Sequence, residues 1–167
     1  MNRQEAVATV LRLLTDELVI LCNGMVSREA FNTLDRPENF YMIGSMGLTA
    51  SLALGVALAR PDRKVMAFDG DGGVLMNLGT LAEVGSIKPK NLFHLCFDNG
   101  VYGSTGNQPT LARTVDLDLI ARSSGYRIVE RVNEKTALEK AVKTLGEKDG
   151  PIFLLIKVVP EEKYETA

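Results

Sequence analysis

The sequence predicts an α/β fold of three layers, helix, sheet and helix, built around a mostly parallel sheet in a single domain over residues 1–167. Three observations predict it. Short apolar runs bounded by Gly, Asn, Asp or Pro alternate with segments whose apolar residues recur at helical spacing. Two of those runs, residues 64–69 and 92–97, are apolar almost throughout, as strands buried on both faces are. No repeat or low-complexity linker breaks the alternation, and 167 residues with 46% hydrophobic content make one proper core where two would be cramped.

In chain order, residues 3–14 place Ala6, Val7, Val10, Leu11 and Leu14 on one helical face, and Asp16-Glu17 ends that helix. Residues 18–22 read as a strand turning at Asn23-Gly24, and a helix starts at Ser27-Arg28-Glu29 with Ser27 placed to cap it. After the loop Arg36-Pro37-Glu38-Asn39 comes a strand over 40–43, then the turn Gly44-Ser45-Met46-Gly47. From Thr49 to Ala59 small and apolar residues are so dense that this helix is expected to be buried nearly all round; Arg60-Pro61-Asp62 ends it. Residues 64–69 and 92–97 are the central strands, joined by a crossover helix carrying Leu75, Leu78, Leu81 and Ala82. Beyond them lie a helix over 116–124 stopped by Gly125 and a strand over 127–132. An amphipathic helix follows over 133–145, capped by Asn133, with Ala137, Leu138, Ala141, Val142 and Leu145 inward. A buried strand over 151–159 precedes a polar tail from Pro160.

Composition excludes several classes of function. With 19 Lys and Arg against 21 Asp and Glu, and no basic cluster, neither nucleic acid nor an anionic membrane is an expected partner. The two cysteines, Cys22 and Cys96, stand apart in strand-like runs without metal or cluster spacing, which reads as buried, reduced thiols. The first residues are charged and amphipathic, unlike a signal peptide, and no run reaches the length of a membrane span, so a cytoplasmic chain is expected.

The chemistry concentrates in residues 65–106. Both central strands end in an acid and glycine: Asp69 leads into Gly70-Asp71-Gly72-Gly73, and residue 97 into Asp98-Asn99-Gly100. Parallel strands joined by one crossover present these ends side by side, where open α/β sheets bind ligands. Successive glycines let backbone N–H groups approach an anion, and a helix start there favours phosphate. The Asp71 carboxylate would repel such a phosphate unless a cation lay between them. Asp71 and the Asn99 side-chain oxygen suit Mg²⁺, which takes about six oxygens at roughly 2.0–2.1 Å, several from phosphates. G-D-G alone is more often an ordinary turn; the second oxygen ligand at the next strand end is what favours a bridged diphosphate. No G-x-G-x-x-G or P-loop pattern is present.

At these residues the chain resembles the thiamine-diphosphate enzymes, whose diphosphate-binding (PP) domains carry G-D-G followed, after a spacer that Gly70 and Asn99 match, by Asn. The resemblance implies thiamine diphosphate and Mg²⁺ as cofactors. Asp71 and Asn99 would be metal ligands through their side chains and Val101 through its carbonyl. Gly70, Gly72, Gly73, Tyr102 and Gly103 would lie against the cofactor. Gly44-Ser45-Met46-Gly47 matches the element in which an apolar side chain, here Met46, wedges between the two cofactor rings, with the Gly44 backbone on the pyrimidine and Ser45 beside it. Ser27-Arg28-Glu29, residues 36–42 and Ser104-Thr105-Gly106-Asn107-Gln108-Pro109-Thr110 narrow the resemblance to the sulfopyruvate decarboxylases, their β subunits above all, and the related phosphonopyruvate decarboxylases. That implies a carboxy-lyase acting on a small 2-oxo acid, converting sulfopyruvate to sulfoacetaldehyde and CO₂. In that family a catalytic Glu lies on a pyrimidine-binding domain for which this chain has no room, so none of its own residues is assigned as catalytic. A pyrimidine-binding α subunit in a hetero-oligomer is the implied partner. Arg28, Ser104, Thr105 and Gln108 are candidates for holding the substrate's anionic head, Arg28 being as readily a surface ion pair. His94, in an apolar strand, reads as packed and hydrogen-bonded, and Glu29 and Glu83 as solvated or structural. Alternatives are phosphonopyruvate decarboxylase, another two-subunit thiamine enzyme of acetolactate-synthase or 2-oxoacid-oxidoreductase type, a non-catalytic cofactor-binding scaffold, and a nucleotide-binding α/β protein without thiamine.

Overall fold

The structure, a computed structural model, describes residues 1–160; the expected polar tail lies, past Pro160, outside the described residues. Six parallel strands form one sheet in the order β2-β1-β3-β4-β8-β7, with β1 Leu18–Leu21, β2 Asn39–Tyr41, β3 Val65–Gly70, β4 Leu92–Asp98, β7 Ile128–Val132 and β8 Ile152–Lys157. Both faces are covered. Val19, Leu21, Met66, Phe68, Phe93, Leu95 and Phe97 point to a layer made by α1 (Arg3–Leu11), α2 (Met25–Thr33) and α7 (Lys135–Gly146). The alternating residues Ile20, Val65, Ala67, Leu92, Cys96, Phe153 and Leu155 meet α3 (Thr49–Ala59), α4 (Asp71–Met76), α5 (Gly79–Ile87) and α6 (Leu117–Ser124). Strand side chains alternate between faces, so a sheet buried on both sides needs the continuous apolar runs that the sequence has.

Several local expectations are corrected. α1 ends at Leu11, capped at its start by the Asn2 side chain accepting from Glu5 N, and Leu14 packs on the core from the following turn. α2 begins at Met25 behind Gly24, so Ser27 is not its cap; its hydroxyl donates to the Cys22 carbonyl at 2.6 Å and ties the helix to the end of β1. The crossover between β3 and β4 is two helices, broken at Asn77-Leu78, and Ala82 is exposed. α3 is not enclosed: Leu52 and Leu58 are exposed on its outer face. α7 starts after Glu134 with no side-chain cap, and Ala137 faces solvent. The segment after β4 contains an antiparallel hairpin of β5 (Val101–Tyr102) and β6 (Gln108–Pro109), followed by a short 3-10 turn at Leu111–Arg113. Cys22 and Cys96 are buried free thiols, and burial pushes both up in pKa, keeping them protonated.

One feature of this order positions a site. From β1 the chain passes through α2, on one face, to the edge strand β2; from β3 it passes through α4 and α5, on the other face, to β4. Adjacent strands whose following helices leave to opposite faces open a crevice at their carboxyl ends. That crevice lies between residues 22–25 and residues 69–73.

Candidate active site

The crevice is a solvent-open cleft lined by Cys22, Asn23 and Met25 from the end of β1, Asp69 to Gly73 from β3, and Asn99, Val101, Tyr102, Gly103 and Ser104 beyond β4, with Met46 at its side. Its floor needs glycine. A Cβ on Gly72 would come within 2.4 Å of the Tyr102 ring and 3.1 Å of Met46 Cε, and one on Gly73 within 2.3 Å of Asp69 Oδ1. The N-cap of α4 is Gly70, which offers no side chain to the first-turn N–H groups.

Three buried aspartates surround this floor, and their surroundings differ. Asp98 receives Lys157 Nζ at 2.6 Å and the Gly100 N–H at 3.0 Å. Asp69 accepts the Gly70 N–H at 3.0 Å and stands 3.6 Å from His94 Nε2, while His94 Nδ1 is 3.1 Å from the Tyr126 hydroxyl. Asp71, 2% exposed, is in no ion pair among the described residues; the Thr110 hydroxyl donates to its Oδ2. Burial pushes its pKa up to about 6, the Thr110 hydrogen bond opposes this, and the nearby Asp98 charge adds to it. Asp71 is thus a buried carboxylate that pairs with no Lys or Arg among the described residues, beside a cradle of glycine backbone. Asn99 accepts the Val101 N–H on Oδ1 at 3.1 Å, a local turn that holds its amide beside the cleft.

The fold therefore brings together Met46, Gly70, Asp71, Gly72, Gly73, Asn99, Val101, Tyr102, Gly103 and Ser104, but not every expected residue. Gly44 and Ser45 are in the same turn as Met46, where Ser45 takes a positive φ of 60°, yet neither lines the cleft. Arg28 is exposed on α2 and faces a separate groove with Phe31, Tyr41 and Ile43. Thr105 and Gln108 bond each other at 2.9 Å on the outside of the hairpin. Glu29 is structural rather than solvated: Arg3 holds it in a buried two-pronged ion pair, Nε to Oε2 at 3.0 Å and Nη2 to Oε1 at 2.7 Å. Glu83 is exposed and His94 is packed and hydrogen-bonded. Thr110 enters the sequence reading only as the last residue of the Ser104–Thr110 motif, with no role given to its side chain, and Lys157 and Arg3 not at all; each acts on a residue far away in the chain.

The model for the thiamine pyrophosphate enzyme C-terminal TPP-binding domain matches residues 22–156. The phosphonopyruvate decarboxylase of Streptomyces viridochromogenes is 44% identical over 162 residues, 95% of this chain and 41% of that protein, so the chain spans less than half of that relative's length. The sulfopyruvate decarboxylase subunit beta of Methanothermobacter thermautotrophicus is 40% identical over 160 residues, 96% of this chain and 83% of that one. Among solved structures, the thiamine diphosphate-dependent 4-hydroxybenzoylformate decarboxylase of Rhodococcus jostii RHA1 superposes with a TM-score of 0.84 at 21% identity, covering 98% of this chain and 33% of that one, which shows the shared fold. With its glycine floor at the switch of strand order and the family match running across it, the chain belongs to the thiamine pyrophosphate enzymes as their C-terminal TPP-binding domain, in the group of the sulfopyruvate decarboxylase β subunits and the phosphonopyruvate decarboxylases.

Proposed function

We propose that this chain is the diphosphate-binding subunit of a thiamine-diphosphate- and Mg²⁺-dependent 2-oxo acid decarboxylase, acting on sulfopyruvate and completed by a pyrimidine-binding α subunit. The observation that carries the proposal is Asp71: a buried carboxylate that, among the described residues, has no ion-pair partner and lines the cleft with Gly70, Gly72 and Gly73. The backbone over residues 70–73 receives the diphosphate. Asp71, the Asn99 side chain and the Val101 carbonyl hold Mg²⁺ against it. Among the described residues no three His, Cys, Asp or Glu side chains converge to bind a metal, so the cation's remaining oxygens come from the diphosphate and water. Lys157 matters here because it pairs with Asp98, the acid whose charge also acts on Asp71. Met46, whose Cε reaches toward Gly72, sets the side wall of the cofactor site.

When bound, thiamine diphosphate supplies the electron sink for loss of CO₂ from a 2-oxo acid. This chain contributes binding, orientation and a partly water-excluded floor. Among the described residues no glutamate lines the cleft, since Glu29 is held by Arg3; the proton-handling carboxylate is therefore assigned to the partner subunit. The name of the Methanothermobacter relative, a subunit beta, supports the two-chain reading.

Reconstitution with a pyrimidine-domain subunit tests this. The mixture is expected to release CO₂ from sulfopyruvate, and the chain alone to release none; turnover by the chain alone, or none by the pair with either sulfopyruvate or phosphonopyruvate, overturns it. Phosphonopyruvate is the second reading, favoured by the 44% identical relative. For the substrate's anionic head, Ser104 is the expected determinant because it alone of Arg28, Ser104, Thr105 and Gln108 lines the cleft. Ser104→Ala is expected to raise KM about 3–10-fold, the worth of one hydrogen bond, whereas Thr105→Ala and Gln108→Ala leave it near the wild-type value. Steady-state kinetics on the reconstituted enzyme distinguishes these outcomes.

A further inference from the structure

Thr110 closes the hairpin that follows β4, and it is 4% exposed. Its three polar contacts run in different directions. The Thr110 N–H donates to the Gly100 carbonyl at 3.0 Å. Its Oγ1 accepts the Ala112 N–H at 3.3 Å, and the hydroxyl proton is donated to Asp71 Oδ2. Gly100 lies between Asn99 and Val101, and its carbonyl also receives Arg113 Nε at 3.2 Å. One residue therefore bonds to Asp71 at the end of β3 and to the Asn99–Val101 turn at the end of β4. Those are the two halves of the cation site proposed above, brought from separate strands.

The consequence is directional. With Oδ2 of Asp71 held by a hydroxyl whose own lone pair is engaged by Ala112, the carboxylate plane is set before a cation arrives. The hairpin between Val101 and Thr110 carries Ser104 at its tip and lays Tyr102 on Gly72, so it touches the glycine floor as well as the carboxylate. We propose that Thr110 is the positioning residue that keeps the two halves of the cation site in register and thereby couples order in the Val101–Thr110 hairpin to occupancy of that site. This rests on the reading of Asp71, Asn99 and Val101 as the cation's ligands.

The test uses Mn²⁺ as the probe, with thiamine diphosphate, and two readouts other than turnover. Electron paramagnetic resonance titration measures free Mn²⁺, and amide hydrogen exchange follows residues 102–108. In the wild-type chain, Mn²⁺ with thiamine diphosphate is expected to protect the hairpin amides. Thr110→Val, which keeps the shape and removes the hydroxyl, is expected to weaken Mn²⁺ binding about 10–100-fold and to leave the hairpin less protected even at saturating Mn²⁺. Thr110→Ser, which restores the donor, is expected to return both toward wild type. Wild-type Mn²⁺ affinity in Thr110→Val, or equal hairpin protection in the two at saturation, overturns the proposal. Unchanged hairpin exchange in the wild-type chain on Mn²⁺ binding also overturns it, and that measurement needs no variant to fold. If Mn²⁺ with thiamine diphosphate fails to bind the wild-type chain at all, the cation site itself is wrong, and the role of Thr110 falls with it.

Discussion

Replacing Asp71 by asparagine is expected to abolish Mg²⁺-dependent binding of thiamine diphosphate and, in the same protein, to stabilise the cofactor-free chain at neutral pH. The two effects share one cause. Burial raises the Asp71 pKa from its ordinary value to about 6, so between about pH 4 and 6 the folded chain binds more protons at this site than the unfolded chain. Stability contributed by this group is therefore fully present below its ordinary pKa and is lost as pH rises through about 6. At pH 7.5 the ionised carboxylate costs the empty site up to about 3 kcal/mol, the equivalent of a shift of roughly two pKa units. Asparagine keeps the shape and removes the charge. Thermal melts of the cofactor-free chain at pH 5 and 7.5 should thus differ less in Asp71→Asn than in wild type, with the variant the more stable at pH 7.5. Calorimetric titration should show a loss of cofactor affinity of at least about 100-fold, because a ligand is removed rather than its support. A variant that melts like wild type at both pH values would remove the buried-charge account; one that still binds thiamine diphosphate with Mg²⁺ at wild-type strength would remove the cation site.

Gly85→Ala is expected to cost the most stability of any single methyl added to this fold. Gly85, on the buried side of α5, lies against the end of α6: a Cβ there would be 1.8 Å from the Ser124 carbonyl oxygen and 2.5 Å from its carbon. The clash is with backbone, which cannot rotate away as a side chain can. Gly125, which follows with a φ of +104° in the left-handed region, approaches Gly85 O to 2.9 Å from its own would-be Cβ, so the two glycines serve one close contact from both sides. Separating α5 from α6 would loosen the layer containing Leu81, Val84, Leu117 and Ala121. A loss of about 3 kcal/mol or more is expected, which for a chain of this size lowers Tm by roughly 6–12 °C. Gly55→Ala is the control: a Cβ there meets nothing within 4 Å inside α3, and Tm should rise slightly as helix propensity improves. A Gly85→Ala variant melting with wild type would show that α5 and α6 are not held at this spacing.

The strands and their crossovers are legible because burial on both faces writes continuous apolar runs, as in residues 92–97, and turn residues mark their ends. Asp71 and Asn99 are legible for the same reason, since both fall just past such ends. The hairpin of β5 and β6 is not, because two-residue strands are too short to show an alternation. Ser27 misleads because a hydroxyl near a helix start resembles a cap until Gly24 is seen to begin the helix and the Ser27 hydroxyl to reach Cys22. Arg28 misleads because the phase of α2 turns it away from the cleft. The bonds that tune the floor, from Thr110 to Asp71, Lys157 to Asp98 and Arg3 to Glu29, join residues far apart in sequence, and only the folded chain reveals them. The composition of α3 misleads as well: small and apolar residues run along its whole length, yet its outer face, with Leu52 and Leu58, stays uncovered.

The strand order carries a consequence in time. β8 sits between β4 and β7, yet it follows both in the chain. As the polypeptide leaves the ribosome, β4 presents an open edge and β7 has no strand to pair with until residues 152–157 have emerged. Until then Asp98 also lacks Lys157 and faces Asp71 unpaired. β8, synthesised after both of its neighbours, thus closes the gap between them and sets the charge balance of the cleft in one event. A nascent chain halted before residue 152 would offer an aggregation-prone edge and no competent cation site.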